Sequence, residues 1–292
     1  MDELITVGIP FFNPGKHLFE CLNSVIKQTH SNIEILLIDD GSTDDSLVII
    51  EELIKKDSRI KLVSDGKNRG LIARLNQIIQ MAKGKYIARM DADDIMLPQR
   101  LETQLNYFRA NPDVDIVSTA AYTIDQNNKP IGFRGDHVQS KLTLGKLLKK
   151  NPIIHPSILV RSLWYQNNLY DSRYFRAEDL ELWCRTVQNV KIHMLAEPLI
   201  LYREGNVNVK NYNSTMRTLR KIYKVYGKNV FTPLGLYKYI SHTYLKSLVY
   251  SLFGLANMQY LLTLDRSSKL SNSEKIKLSA IISALKLNDH AN

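Results

Sequence analysis

The densest chemistry in this 292-residue chain lies in Met90-Asp91-Ala92-Asp93-Asp94. Three carboxylates within four residues repel one another, so at the mouth of a sheet they call for a cation. Oxygen-only ligation suits Mn²⁺ or Mg²⁺, which would in turn neutralise a diphosphate. The plainer alternative is a capped turn whose acids point into water. A second acidic cluster, Asp39-Asp40-Gly41-Ser42-Thr43-Asp44, offers a carboxylate that can accept from the N3–H of a uracil, or else an ordinary strand–turn–helix cap. Phe12 presents a flat face for a base, though an aromatic there serves equally as core. Asn68-Arg69-Gly70-Leu71-Ile72-Ala73-Arg74-Leu75-Asn76 brings two arginines to a helix entrance, near where a diphosphate could lie, unless they are simply solvated. The last cluster is Ala177-Glu178-Asp179-Leu180-Glu181-Leu182-Trp183. Adjacent acids at a helix start are favoured by the dipole alone. Group transfer to a hydroxyl with inversion, however, needs a general base opposite the leaving diphosphate, and one further carboxylate is sufficient.

These residues need elements to hold them. Leu4 to Pro10, Ile33 to Ile38, Ile60 to Val63 and Tyr86 to Met90 are apolar runs that predict strands. Helical spacing predicts helices from about Lys16 to Thr29, Asp45 to Lys56 (capped by Asp44 or Thr43) and Leu71 to Ala82. Strand and helix alternate, which implies a parallel sheet with helices on its faces and ligands beyond the strands' carboxyl ends. Phe12-Asn13, Asp39 to Asp44 and Asp91 to Asp94 should converge there. A helix after Pro98 and a strand at Val114 to Ser118 follow, then a less regular region, 120–175, with a turn at Asn127-Asn128-Lys129-Pro130. A helix over Glu178 to Gln188 precedes strand-like Ile192 to Leu195 and Leu199 to Tyr202. Past Asn206 the pattern becomes lysine-studded, Tyr/Leu-rich helices without strands. The expected organisation is 1–105 and 106–205 as two halves of one α/β domain, and 206–292 as a basic helical module.

Charge sharpens that boundary. The formal net charge is +10, and 206–292 holds thirteen Lys/Arg against three Asp/Glu, leaving the preceding residues balanced. A basic segment fits nucleic acid or the anionic inner face of a membrane. The two cysteines, Cys21 and Cys184, supply neither a disulfide framework nor a zinc spacing. Met1-Asp2-Glu3 runs straight into a strand without a signal peptide, so a cytoplasmic protein is expected.

The five segments Val7-Gly8-Ile9-Pro10-Phe11-Phe12-Asn13, Ile38 to Asp44, Asn68-Arg69-Gly70 with Ala73 to Asn76, Asp91 to Asp94 and Glu178 to Trp183 resemble, in order and spacing, the motifs of family 2 glycosyltransferases. The resemblance spans roughly residues 4–205, about 70% of the chain. It implies an α/β fold of the GT-A type, a Rossmann-like nucleotide-binding mixed sheet flanked by helices, and an inverting, metal-dependent transfer. Carried over by position, the donor would be bound by Pro10, Phe12, Asn13, Asp40, Asn68, Arg74, Asp91 and Asp93. Phe12 and Asp40 would meet uracil, and Asp91 and Asp93 would serve ribose and metal, with Asp93 the principal ligand. Asp179 would be the base, with His155 and Glu178 on the acceptor side; His155-Pro156-Ser157 resembles the family's segment before the acceptor site. One departure stands out. Where many members follow the Tyr202-Arg203 pair with a histidine that assists the metal, this chain has Glu204-Gly205-Asn206.

The expected reaction is transfer from a UDP-sugar to a saccharide in bacterial surface-polysaccharide synthesis. An undecaprenyl-diphosphate-linked acceptor would account for the basic tail, with no nucleic acid partner. A nucleotidyltransferase would carry a glycine-rich, basic loop after the first strand, and Phe11-Phe12-Asn13-Pro14 is unlike that. A catalytically dead binding module would not need Asp93 and Asp179. For the tail, Ser247 to Leu264 has no charge over 18 residues, yet Asn257 and Gln259 make spanning costly. Tyr237, Tyr239, Tyr244, Tyr250 and Tyr260, with Lys210, Arg217, Arg220, Lys221, Lys224, Lys228, Lys238 and Lys246, suit a helical module lying on the inner membrane surface. The alternative is a cap packed on the catalytic domain or on a second subunit.

Overall fold

The computed structural model describes residues 2–135, 142–205, 208–256, 258, 261–262 and 267–287. Strands β1 (Ile5–Phe11) and β2 (Ile33–Asp39) are buried at every residue, which is why their sequences run apolar without alternating. They pair in parallel with each other, β2 with β3 (Ile60–Val63), and β1 with β4 (Tyr86–Arg89). Helices α1 (His17–Ile26), α2 (Ser46–Ile54) and α3 (Leu71–Met81) form the crossovers. A Cβ on Gly8 would lie 2.3 Å from Ile78 Cγ2, so glycine lets α3 settle onto β1. The register sets Phe11 beside Asp39 and Gly8 beside Arg89. The loops carrying Phe12, Asp40 and Asp91 therefore leave the same edge.

The second half turns the sheet mixed. It comprises β5 (Ile95–Met96), α4 (Arg100–Ala110), β6 (Ile116–Ile124), β7 (Pro130–Arg134), α5 (Leu144–Lys149), β8 (Leu159–Arg161), α6 (Ser162–Gln166), α7 (Glu178–Thr186) and β9 (Ile192–Arg203). Strand β8 inserts antiparallel between β4 and β6. The region expected to be irregular thus contains a hairpin, a strand and two short helices, each below the length at which periodicity is readable. The two strands expected at Ile192 to Leu195 and Leu199 to Tyr202 are one strand, because a register shift opposite Ala120 absorbs Pro198.

The C-terminal part adds α8 (Val209–Tyr226), α9 (Pro233–Leu255), β10 (Ser268–Lys269) and α10 (Asn272–Leu287). The main sheet order is β10-β7-β6-β8-β4-β1-β2-β3, with β9 joining β5 to β6. The tail is therefore not purely helical: β10 adds an edge strand. One core, with Leu18, Leu22 and Leu105, covers one side of the sheet. A second core joins α3 and α7 to Ile222 of α8. A third unites Ile95, Leu97, Ile124 and Leu201 with Leu270, Leu278 and Ile282 of the tail. The tail is thus docked on the catalytic sheet through α8 and α10, while Leu234, Leu245, Leu248, Leu252 and Leu255 of α9 stay exposed. No helix among the described residues is long and apolar enough to cross a membrane. Asn206, Asn257, Gln259, Tyr260 and residues 263–264 of the uncharged stretch lie outside the described residues.

Candidate active site

Past the carboxyl ends of β1 and β2, two loops are tied into one ledge. Asn13 adopts φ 47°, a left-handed conformation that asparagine tolerates, and its Oδ1 accepts from Thr43 N at 2.7 Å. Asn13 N donates to Ser42 Oγ at 3.1 Å, and Gly15 N donates to Asp44 Oδ2 at 3.0 Å. Asp44 Oδ1 also accepts from Ser46 N at 3.2 Å, although the N-cap position of α2 is Asp45 rather than the expected Asp44 or Thr43. Asn13 thus shapes the ledge, while Phe12 stands 52% exposed beside it. Pro10 lies buried within β1. Asp39 is buried and accepts from Ser42 N at 2.8 Å and Ser64 Oγ at 2.7 Å. Burial works against its charge, but these bonds more than offset that and hold its carboxyl below the usual range.

Asp40 is gripped by the start of α3. Its Oδ1 accepts from Arg69 N at 2.7 Å and Arg74 Nε at 2.9 Å, and Gly70 N sits 3.1 Å from both oxygens. Gly41, at φ 81°, brings this loop so close that a Cβ would lie 3.0 Å from Asn68 N, and Asn68 itself is exposed. Arg74 corrects an expectation. It is fully buried, and it donates to Asp40, Asp65, Gln77 and the carbonyl of Lys67 rather than facing a diphosphate. Its role is to hold Asp40 and the 65–70 loop.

Past the end of β4 lie Asp91, Asp93 and Asp94, each with one oxygen within 4.8 Å of the others. Arg89 holds both oxygens of Asp91, at 2.5 and 2.7 Å. Arg203 clasps the other two residues. Its backbone N donates to Asp94 Oδ1 at 2.7 Å and its Nε to the Asp93 carbonyl at 2.7 Å, while Nη2 reaches Glu20 at 3.1 Å. Asp94 Oδ2 is buried without a partner among the described residues. Burial first, then the charge of Asp91, pushes Asp93 up to about 6, and burial with both neighbours raises Asp94 further. A buried oxygen with no donor, amid carboxylates that resist ionising together, fits a divalent cation. Asp91, Asp93 and Asp94 are the residues that would hold such an ion.

A second acidic centre is built on the first turn of α7. Asp179 lines a cavity of about 680 Å³, together with Lys150, Asn151, His155, Tyr202, Arg134 and Ser268. Asn151 Nδ2 approaches Asp179 Oδ2 at 3.4 Å. Burial raises the Asp179 carboxyl, while the Leu180 N–H and the charge of Arg89 act the other way. Glu178 is buried, and its carboxyl is pushed up to about 7 by burial and then by Asp179. His155 shares a 2.6 Å hydrogen bond with Tyr170 OH and meets Trp183 edge-on. Burial, with Arg89 nearby, depresses its pKa and keeps the ring neutral.

Comparison with known proteins decides the family. Residues 6–164 match the family model described as Glycosyl transferase family 2. The chain is 33% identical to an uncharacterised glycosyltransferase of Methanocaldococcus jannaschii over 231 residues, 77% of this chain and 79% of that one. This chain is a family 2 glycosyltransferase. Among solved structures, S. aureus TarS 1-349 in complex with UDP superposes with a TM-score of 0.57 at 17% identity, over 96% of this chain and 79% of that one. The mannosyltransferase PcManGT from Pyrobaculum calidifontis, in complex with GDP-Man and Mn²⁺, gives 0.56 at 16% identity, over 97% and 80%. The glycosyltransferase thus has the GT-A fold.

Several site residues of this glycosyltransferase were not singled out in the motifs. Arg89 was legible as a cation in the otherwise apolar strand Tyr86-Ile87-Ala88-Arg89, two residues before an acid, which marks a buried pair. Arg203 and Arg134 gave no such signal, because their partners are more than sixty residues away. The departure after Tyr202-Arg203 has a structural meaning: Glu204 pairs with Arg134 at 2.7 Å and accepts from Ser267 Oγ at 2.6 Å. Cys21 and Cys184 are both buried and free.

Proposed function

We propose that this glycosyltransferase moves a sugar from a UDP-sugar, with inversion, onto a hydroxyl of a lipid-diphosphate-linked saccharide, in the synthesis of an O-antigen, capsule or exopolysaccharide. The observation that carries the reading is a pair of acidic centres: the three-carboxylate cluster of Asp91, Asp93 and Asp94, and Asp179 lining a cavity of about 680 Å³. UDP on the ledge would stack on Phe12 and meet Asp40 Oδ2, which accepts from Gly70 N at 3.1 Å. Asp93, with Asp91 and Asp94, would hold Mn²⁺ or Mg²⁺. That ion, when bound, would offset the negative charge of the diphosphate. Asp179 takes the proton of the acceptor hydroxyl as its oxygen forms a bond to the anomeric carbon from the face opposite the diphosphate. The bond from that carbon to the diphosphate breaks, the diphosphate keeps the electron pair, and UDP leaves. The test is a screen of UDP- and other nucleotide-sugars with Mn²⁺ against GlcNAc- or GalNAc-diphosphate-lipid analogues, followed by linkage analysis. UDP release with a β-linked product from an α-donor is expected. A product of retained configuration, or turnover with no UDP-sugar, would overturn the reading.

We propose further that the enzyme works at the cytoplasmic face of the membrane, bound peripherally. The supporting observation is the outer face of α9, where Leu234 and Leu255 are 79% and 84% exposed and Tyr237, Lys238, Tyr244 and Lys246 lie alongside. Apolar side chains flanked by cations suit an anionic lipid surface. Cell fractionation checks it: the protein should sediment with membranes and be released by high salt or carbonate. Recovery wholly in the soluble fraction at low salt would overturn it.

A further inference from the structure

Among the described residues, the tail adds a strand to the sheet at the rim of the acceptor cavity. Strand β10 pairs antiparallel with β7, setting Ser268 opposite Phe133 and Lys269 opposite Gly132. The approach depends on a missing side chain: a Cβ on Gly132 would lie 2.5 Å from Ser268 O and 2.7 Å from Ser267 Cβ. Two further devices fix the segment. Ser267 Oγ donates to Glu204, which also pairs with Arg134, and the Arg134 guanidinium lies 5.1 Å from the Tyr202 ring centroid. Just beyond β10, Ser271 and Glu274 exchange hydrogen bonds as a capping box, starting α10, whose Leu278 and Ile282 pack against Ile95 and Leu97. Ser267 and Ser268 line the same cavity as Asp179, with Phe133, Arg134 and Tyr202.

We infer that Ser267 and Ser268 form a specificity-determining wall of the acceptor cavity, so that the C-terminal part of the chain selects which saccharide is presented to Asp179. This rests on the reading of Asp179 as the base. Aromatic rings of Phe133 and Tyr202 supply faces for a pyranose, and Ser267, Ser268 and Arg134 supply polar edges for its hydroxyls. The donor ledge lies on other elements and shares none of these residues. A change in the wall therefore alters acceptor recognition and leaves nucleotide recognition intact.

The test uses the full-length enzyme, a GlcNAc-diphosphate-lipid analogue and a GalNAc-diphosphate-lipid analogue. Ser268→Trp, at an exposed position, narrows the cavity without burying a new group, and Gly132→Ala pushes β10 off β7. Each should raise the acceptor KM by about tenfold or change the preference between the two analogues by that factor. UDP affinity with Mn²⁺, read by calorimetry, should stay within about twofold. Acceptor KM and preference both unchanged in Ser268→Trp would overturn the inference, as would an equal loss of UDP affinity. Failure of the underlying reading has a different mark: Asp179→Asn with near-normal turnover would show that this cavity is not where the hydroxyl reacts.

Discussion

Arg89 grips both carboxylate oxygens of Asp91 from the buried end of β4, at 2.5 and 2.7 Å. Burial raises the carboxyls of Asp93, Asp94, Glu178 and Asp179, and the charge of this same guanidinium opposes that shift at all four. We propose that it is a positioning residue for both acidic centres. Arg89→Met should weaken Mn²⁺-dependent UDP binding at least tenfold and cost about 3 kcal/mol of stability, since it leaves Asp91 uncompensated. Arg89→Lys, with a single ammonium in place of the fork, should recover only part of both. Calorimetry and denaturant unfolding measure the two effects, and unchanged values in Arg89→Met would refute the assignment.

Asp93→Ala should abolish transfer and the metal dependence of UDP binding while leaving the fold intact, because its carboxylate sits at the open side of the cluster. Asp91→Ala should damage both as well. Calorimetry of UDP with and without Mn²⁺ reads this directly; a mutant whose UDP affinity still responds to Mn²⁺ would count against Asp93 as a ligand.

Asp179→Asn carries a different signature. The amide keeps the shape but cannot take a proton, so the transfer rate should fall by orders of magnitude while donor affinity stays near normal. Steady-state kinetics with UDP calorimetry separates the two. Wild-type turnover in this variant would hand the role to Glu178 or another acid.

Glu178 makes a prediction about pH. Its carboxyl is pushed up to about 7 from an ordinary 4.5, chiefly by burial and then by Asp179. The folded state therefore holds this proton more tightly than the unfolded chain does. The resulting stability is fully present below about pH 4.5 and is lost as pH rises through about 7. Glu178→Gln should be as stable as the parent near pH 4 and more stable near pH 8, by at most about 3 kcal/mol. Denaturant melts at the two pH values check it, and equal stability differences at both would rule it out.

The sequence alone determined the parts whose signals are local. Apolar runs long enough to be buried on both faces marked β1, β2 and β4, and acids placed directly after them marked Asp40, Asp91 and Asp93 as loop residues at one sheet edge. The motif order sufficed for the family. Tertiary structure decided which of those groups face a ligand and which are struts, because that depends on partners distant in the chain. Arg74 has the same residue type and helix position whether it meets a diphosphate or Asp40 and Asp65, and only packing of α3 against the 39–44 loop chose the second. Arg203 reaches Asp94 across 109 residues, and Ser267 reaches Glu204 across 63. Strand β10 is only two residues long, too short for any periodicity to show. Its place in the sheet comes from Gly132, whose missing side chain leaves room for it, and from the apolar residues of α10 that hold it there.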